Sequence, residues 1–233
     1  MEKKRKIHIW RLTDGTKEIR KDSVVTEARV QILLNGKIVS EVSCTPNDLE
    51  YLAVGNLYAK KLLTSGSNLD IEISGNDVNV NISNDSTVTV AIKNYPNEYA
   101  IPKDLIFEKT VELLTFSSLF KETGGSHTVG VFDLYKKEFL YVAEDIGRHN
   151  AVEKCMGYIL LNTGEMRNPV LFASGRANSK IVENCATLGI STVITKSAVT
   201  DKAVKSAEKH GITLIGFVRG KRANIYTHPE RVI

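Results

Sequence analysis

Apolar and polar positions divide the chain into two differently patterned halves. Residues 24–34 are rich in β-branched side chains, and residues 37–43 alternate after Asn35-Gly36, a dipeptide that favours a tight hairpin turn. Two antiparallel strands are therefore predicted. Helical spacing follows, with Leu49, Leu52, Ala53 and Leu57 on one stripe and the stretch 60–63 continuing it. Thr45 is placed to cap this helix, and Pro46 suits its first turn. Three short alternating runs, 69–74, 78–83 and 87–92, are separated by Gly75-Asn76-Asp77 and Asn84-Asp85-Ser86, which predicts a strand meander. Asn94-Tyr95-Pro96-Asn97, with Pro102 soon after, reads as a linker.

Beyond residue 103 the pattern alternates between helix and strand. Helices are predicted over 103–121, 151–161, 179–188 and 201–210. Strands are predicted over 129–134, 139–142, 170–173, 192–195 and 213–217, the first two around a Lys136-Lys137 turn. Such alternation argues for a largely parallel sheet covered by helices. The expected fold is thus α/β: a smaller β-rich part over 1–95 with one helix, a linker over 96–103, and an α/β domain over 104–233.

Composition narrows the class. The chain has 233 residues, 42% of them hydrophobic, which suits a globular protein and excludes disorder and collagen-like repeats. No apolar run approaches the ~18 residues a membrane span requires. The basic start, Met1 to Lys6, precedes no apolar stretch, so no signal peptide is read. Cysteines stand only at 44, 155 and 185, which makes neither a disulfide framework nor a zinc quartet and fits a reducing cytoplasm. A formal net charge of +4 is too small to argue for nucleic acid.

In a parallel α/β sheet, ligands bind beyond the carboxyl ends of the strands. The segments that follow the predicted strands are Glu144-Asp145-Ile146-Gly147-Arg148-His149-Asn150, Ser174-Gly175-Arg176-Ala177-Asn178, Lys196-Ser197-Ala198 and Arg219-Gly220-Lys221-Arg222. They are polar and cationic, and a parallel sheet would bring them to one rim. Gly147 and Gly175 allow the backbone close to a ligand, and the helices that follow offer free N–H groups. Arg148, Arg176, Arg219 and Arg222 supply donors for phosphate oxygens. An anionic ligand is expected, although neither a P-loop nor Gly-x-Gly-x-x-Gly occurs. Thr123-Gly124-Gly125-Ser126-His127 either contacts that ligand or ends a helix with Gly124 in a left-handed conformation, or does both.

Each of these residues also has a plainer reading. His149 and His127 are each a general base or ligand contact, or else an orienting or core histidine. Asp145 orients His149, binds a hydroxyl or an arginine, or complements a helix dipole. His210 before Gly211 is better explained as part of a helix C-terminus. Cys155 and Cys185 sit in apolar helical stretches and read as buried small hydrophobes. Cys44 ends a strand and could be partly exposed, but nothing basic nearby in sequence activates it. The motifs of a zinc deaminase or a serine hydrolase are absent, so no zinc is expected.

Taken together, several motifs resemble the formate dehydrogenase accessory protein family, FdhD. They are Thr45-Pro46-x-Asp48-Leu49 with Gly55; Leu119-Phe120 with Thr123-Gly124-Gly125-x-His127; Glu144-Asp145-Ile146-Gly147-Arg148-His149-Asn150-Ala151-Val152 with Lys154; Ser174-Gly175-Arg176; Gly216-Phe217-x-Arg219-Gly220; and Ile225-Tyr226. The resemblance runs from about Val30 to the C-terminus. It implies a cytoplasmic sulfurtransferase, typically a homodimer, that takes sulfur from a cysteine desulfurase as a persulfide. The sulfur goes to the molybdenum or tungsten bis-molybdopterin guanine dinucleotide cofactor of formate dehydrogenase. It also implies a C-terminal domain like the cytidine deaminase α/β/α fold without zinc, and a cofactor site at Phe217-Val218-Arg219-Gly220-Lys221-Arg222. The residues of this expected site are completed by Gly124, Gly125, His127, Asp145, Gly147, Arg148, His149, Ser174, Gly175 and Arg176. Neither nucleic acid nor a membrane is an expected partner. One departure stands out: the resemblance implies a Cys-x-x-Cys pair in the interval from Lys93 to Lys103, and no cysteine is present there. Sulfur would then pass through Cys44 or a partner's cysteine, or the chain would be a chaperone that binds the cofactor without covalent chemistry. A hydrolase or transferase acting on another nucleotide-like anion is a third reading.

Overall fold

Strand pairing sorts the chain into two main sheets and a separate hairpin, in a computed structural model that describes residues 2–63, 68–83, 92–93, 100–162 and 166–233. The hairpin comes first: β1 (Lys4–Thr13) pairs antiparallel with β2 (Thr16–Val25). Asp14 and Gly15 close it with positive φ at both positions, the geometry of the tight turn that matches strand twist. The sequence pattern predicted no element before residue 24 and ran one strand through 24–34. Instead β2 ends at Val25, and a new strand starts two residues later.

That strand, β3 (Ala28–Leu34), turns at Asn35-Gly36 into β4 (Lys37–Cys44), as predicted. After the helix α1 (Leu49–Ala59) come β5 (Asn68–Ser74) and β6 (Asp77–Ser83). The sheet order is β4-β3-β6-β5, with β3 and β6 parallel. Thr45 does not cap α1, contrary to the reading of the sequence. Asp48, at φ 50°, precedes the helix, and the buried Thr45 hydroxyl accepts from the Ile146 N–H at 3.2 Å. The third run of the meander falls mostly outside the described residues, as does most of the linker. Only β7 (Ile92–Lys93) is described there, paired parallel with β10 (Met166–Arg167).

The second sheet has six strands: β8 (His127–Asp133), β9 (Glu138–Asp145), β11 (Pro169–Ala173), β12 (Thr192–Thr195), β13 (Thr213–Arg219) and β14 (Arg222–Ile225). Their order is β14-β13-β12-β11-β8-β9. Only β11, β12 and β13 run parallel to one another as neighbours; the other three pairings are antiparallel. The expected largely parallel sheet is therefore a mixed one. The short turns after β8 and β13 can join only antiparallel neighbours, since a parallel crossover needs a dozen or more residues. Two antiparallel steps restore direction, so β9 runs the same way as β11. The carboxyl ends of β9, β11, β12 and β13 still reach one rim, together with the start of β8.

Helices cover both faces. α4 (Arg148–Leu161), α5 (Ser179–Thr187) and α6 (Asp201–His210) bury Val152, Cys155, Ile181 and Ala207 against Val131, Val193 and Leu214. On the other face α2 (Lys103–Thr115) packs Ile106 and Leu113 against Phe132, Phe172 and Ile215. The predicted helix over 103–121 breaks at Phe116-Ser117, where the Ser117 hydroxyl turns inward to Thr128 Oγ1 at 2.7 Å, and resumes as α3 (Ser118–Thr123). Among the described residues no helix is long and apolar enough to cross a membrane.

The first sheet is joined to the second through α1 and α4, which pack backbone against backbone. A Cβ on Gly55 would lie 1.8 Å from the Glu153 carbonyl oxygen, and one on Gly157 would lie 1.9 Å from that of Tyr51. Only glycine permits this approach. Asn56 Nδ2 donates to the buried Glu153 Oε2 at 2.9 Å across the same contact, and burial holds the Glu153 carboxyl above its usual range. Gly157→Ala is expected to lower the unfolding free energy in urea by about 3 kcal/mol, because the helices must part. An unchanged midpoint would show that they need not touch.

Candidate functional site

A cavity of about 400 Å³ opens where the strand ends meet α2 and α3. Of the residues the sequence singled out, Gly124, Gly125, His127, Ser174 and Arg219 line it. Lys196, Ser197 and Phe120 line it too. Lys196 follows β12 and lay within reach of the strand-end rule. Phe120, an exposed aromatic on α3, belongs to the Leu119-Phe120 motif of the resemblance but was not among the expected site residues.

Gly147, Arg148, His149, Gly175 and Arg176 do not line it, although Gly175 and Arg148 stand next to His127, which does. Gly175 is buried, and a Cβ there would sit 3.1 Å from His127 Nδ1 and 3.2 Å from Arg148 Cβ, so its bareness lets those two side chains close together. Burial, then the Arg148 charge, holds the His127 imidazole below its usual range, with Arg176 acting in the same direction. Arg148 Nε is buried without a partner among the described residues, whereas Arg176 is exposed. His149 is engaged elsewhere. Asn178 caps α5 by accepting from the Ile181 N–H at 3.1 Å, which turns its Nδ2 toward His149 Nε2 at 2.9 Å. The imidazole is therefore the acceptor and neutral, in keeping with a value lowered by burial and then by Arg148.

The loop after β13 divides its residues. Phe217 has φ 52° where pairing with β14 slips register, and its N–H donates to the Ser197 carbonyl at 2.9 Å. A bulky residue in this left-handed region costs on the order of 1–3 kcal/mol, and such strain gathers at functional sites. Val218 is buried in the core under α2 and does not face the cavity. Gly220, at φ 57°, makes the turn, and Lys221 and Arg222 are exposed beside it. Gly124 ends α3 at φ 67° and also lines the cavity, so both readings of it hold.

Among the described residues no carboxylate lines the cavity. The nearby Glu144 instead caps α3, accepting from the N–H groups of Leu119 at 3.0 Å and Phe120 at 3.1 Å and from the Ser126 hydroxyl at 3.2 Å. Asp145 is fully buried away from it. Its carboxylate pairs with Lys154 at 2.7 Å and accepts from the N–H groups of Gly147 at 2.8 Å and Thr45 at 3.1 Å and from Asn150 Nδ2 at 2.9 Å. Lys154 also donates to the Thr45 carbonyl at 3.1 Å and to Asn47 Oδ1 at 3.3 Å. These contacts set the entry into α4, where Gly147 stands and Arg148 follows. Lys196 and Arg219 therefore give the cavity a positive field suited to an anion.

All three cysteines are buried. Cys44, expected to be partly exposed, has no accessible surface, and burial followed by the Asp145 charge pushes its thiol up to about 12. Burial raises Cys155 and pushes Cys185 up to about 12. No group of three or more His, Cys, Asp or Glu side chains could hold a metal ion among the described residues. A larger cavity, about 780 Å³, lies among the end of α1, α5 and α6 and contains none of the rim residues, so size does not make it the site.

A profile of the FdhD/NarQ family matches residues 83–233. A sulfur carrier protein FdhD from Bacillus subtilis is 31% identical over 96% of this chain and 95% of its own length. Another from Sulfolobus acidocaldarius is 33% identical over 98% of each, and a protein FdhD from Methanocaldococcus jannaschii is 36% identical over 88% of each. A crystal structure described as that of a candidate formate dehydrogenase accessory protein from Desulfotalea psychrophila superposes over 100% of both chains with a TM-score of 0.86 at 24% identity, and so shares the fold.

Lys154→Met is expected to destabilise the protein by about 3–5 kcal/mol, since it strands the buried Asp145 charge. Denaturant unfolding measures this, and a loss below about 1 kcal/mol would show that water reaches Asp145.

Proposed function

Because this chain belongs to the FdhD/NarQ family, we propose that it is a formate dehydrogenase accessory protein acting in sulfuration of the molybdenum or tungsten bis-molybdopterin guanine dinucleotide cofactor, which it holds as cargo. The observation that carries this reading is the carboxylate-free cavity at the strand ends, bearing Lys196, Arg219 and His127. A pyrophosphate fits that donor set through charge-assisted hydrogen bonds. At about 400 Å³ the cavity is near the small end of ligand pockets, roughly 300–1,000 Å³, and so suits one nucleotide end of a larger molecule. The paired glycines at 124 and 125 keep its mouth free of side chains, and Phe120 supplies an apolar wall for a flat base.

The names of the relatives support a sulfur-carrying role, and the thiols of this chain indicate how it is met. A persulfide forms on an accessible thiolate. Cys44, Cys155 and Cys185 are buried with raised values, and the interval 93–103 has none. Sulfur therefore comes as the outer sulfur of a persulfide on a partner, a cysteine desulfurase or a protein it loads, whose S–S bond breaks and leaves the partner's thiol, while this chain binds and orients the acceptor for delivery to formate dehydrogenase. The setting is the cytoplasm, and the working unit is a homodimer.

Equilibrium binding of guanosine diphosphate tests the cavity. Arg219→Ala and Lys196→Ala should each weaken it about tenfold, and added salt should narrow the difference. Unchanged affinity in both variants would remove the assignment. Thiol titration with an aromatic disulfide tests the second part. No cysteine of the folded protein should react within minutes, and all three should react after unfolding. A fast-reacting thiol in the folded chain would return the persulfide to the protein itself.

A further inference from the structure

The hairpin β1–β2 stands apart from both sheets, and a lone two-stranded ribbon is at best marginally stable in water. Alternation sorts its side chains onto two faces. The unbroken register puts Lys6, Trp10 and Leu12 of β1 on one face with Lys17, Ile19 and Lys21 of β2. The only strand acids, Glu18 and Asp22, point to the other. At its base the cationic face meets the body: Val25 Cγ1 lies 2.8 Å from where a Cβ on Gly125 would be, and Lys4 pairs with Glu122. Further out, Trp10, Leu12 and Ile19 are 70%, 66% and 60% exposed. A cleft of about 560 Å³ separates β1 from α3, the helix that carries Phe120 to the cavity. Charge is concentrated here as well. Residues 1–25 hold eight Lys and Arg against four Asp and Glu, so the net charge of +4 of the whole chain resides in them.

We propose that this inner face of the hairpin is the docking surface for an acidic protein with an apolar pocket, and that it seats that protein at the mouth of the cavity. The inference rests on the function proposed above, in which cargo and sulfur pass between proteins at that mouth. Charge complementarity selects the occupant. The lysines attract an acidic surface and speed its encounter, while Trp10, with Leu12 and Ile19 beside it, supplies the buried anchor that such interfaces favour. A nucleic acid offers no pocket for two aliphatic side chains. A second copy of the chain is not drawn by charge, because residues 26–233 carry no net charge.

The test measures binding of the full chain to immobilised cysteine desulfurase and to immobilised apo-formate dehydrogenase from the same organism. Wild type, Trp10→Ala and the triple variant Lys6→Glu, Lys17→Glu, Lys21→Glu are compared, each also titrated with guanosine diphosphate. Both variants should bind at least one of the two proteins about tenfold more weakly with unchanged nucleotide affinity, and the triple variant should approach wild type near 0.5 M salt. Partner binding unchanged in both variants overturns the docking surface alone. So does sedimentation showing that Trp10→Ala converts a wild-type dimer to monomer, which makes the face a self-interface. So does loss of binding only to phosphatidylglycerol vesicles. Wild type that binds neither protein overturns the functional reading and the docking surface together.

Discussion

A single buried ion pair ties the two halves of this protein to its site. Asp145 and Lys154 have no exposed side-chain surface and sit 2.7 Å apart. Removing two charges from water costs several kcal/mol each, and the cost is met only when the remaining hydrogen-bonding capacity is filled. Here it is filled by groups from three places: the Thr45 and Asn47 segment after the first hairpin of the N-terminal sheet, the turn into α4, and Asn150 on its first turn. The pair therefore fixes Gly147 and hence Arg148. Arg148 in turn stands against Gly175 and next to His127, which lines the cavity. Close packing of α1 on α4 through Gly55 and Gly157 holds the same junction from its other end.

The division of charge at the rim follows. Asp145 is consumed by Lys154, and Glu144 is consumed by the N-terminus of α3. Both acids of the Glu-Asp pair thus serve structure, and the cavity is left to Lys196, Arg219 and a largely neutral His127. Such a site suits an anion. In the function proposed above, with the thiols buried away from the cavity, the chemistry of sulfur belongs to the molecule that meets its mouth, and the chain contributes the fixed frame on which acceptor and donor are brought together.

Much of that frame was legible in the sequence, for identifiable reasons. The strand-end rule located the rim although the sheet is mixed, because β9 regains the direction of β11 through two antiparallel pairings. Gly124 and Gly211 were legible as helix ends, and both adopt positive φ. Asp145 was legible as a charge at a helix start but not as half of a buried ion pair, since its partner Lys154 lies nine residues on and Thr45 a hundred residues back. Thr45 looked like a helix cap because its hydrogen-bond partner, Ile146, is equally remote. The first hairpin escaped notice because no face of it is buried, so its apolar residues, Ile7, Ile9, Trp10 and Leu12, follow no period of two. Lys196 was visible as a strand-end cation, but only folding shows that it, and neither Val218 nor Asp145, faces the cavity.

In the proposed function the cavity at the strand ends receives the nucleotide end of an anionic cofactor. A crystal structure with guanosine diphosphate bound addresses it most directly. The diphosphate is expected against Lys196, Arg219 and His127, with the guanine toward Phe120 and the paired glycines. A diphosphate seated instead among the lysines of the larger groove between α5 and α6, with the strand-end cavity left to solvent, would contradict it.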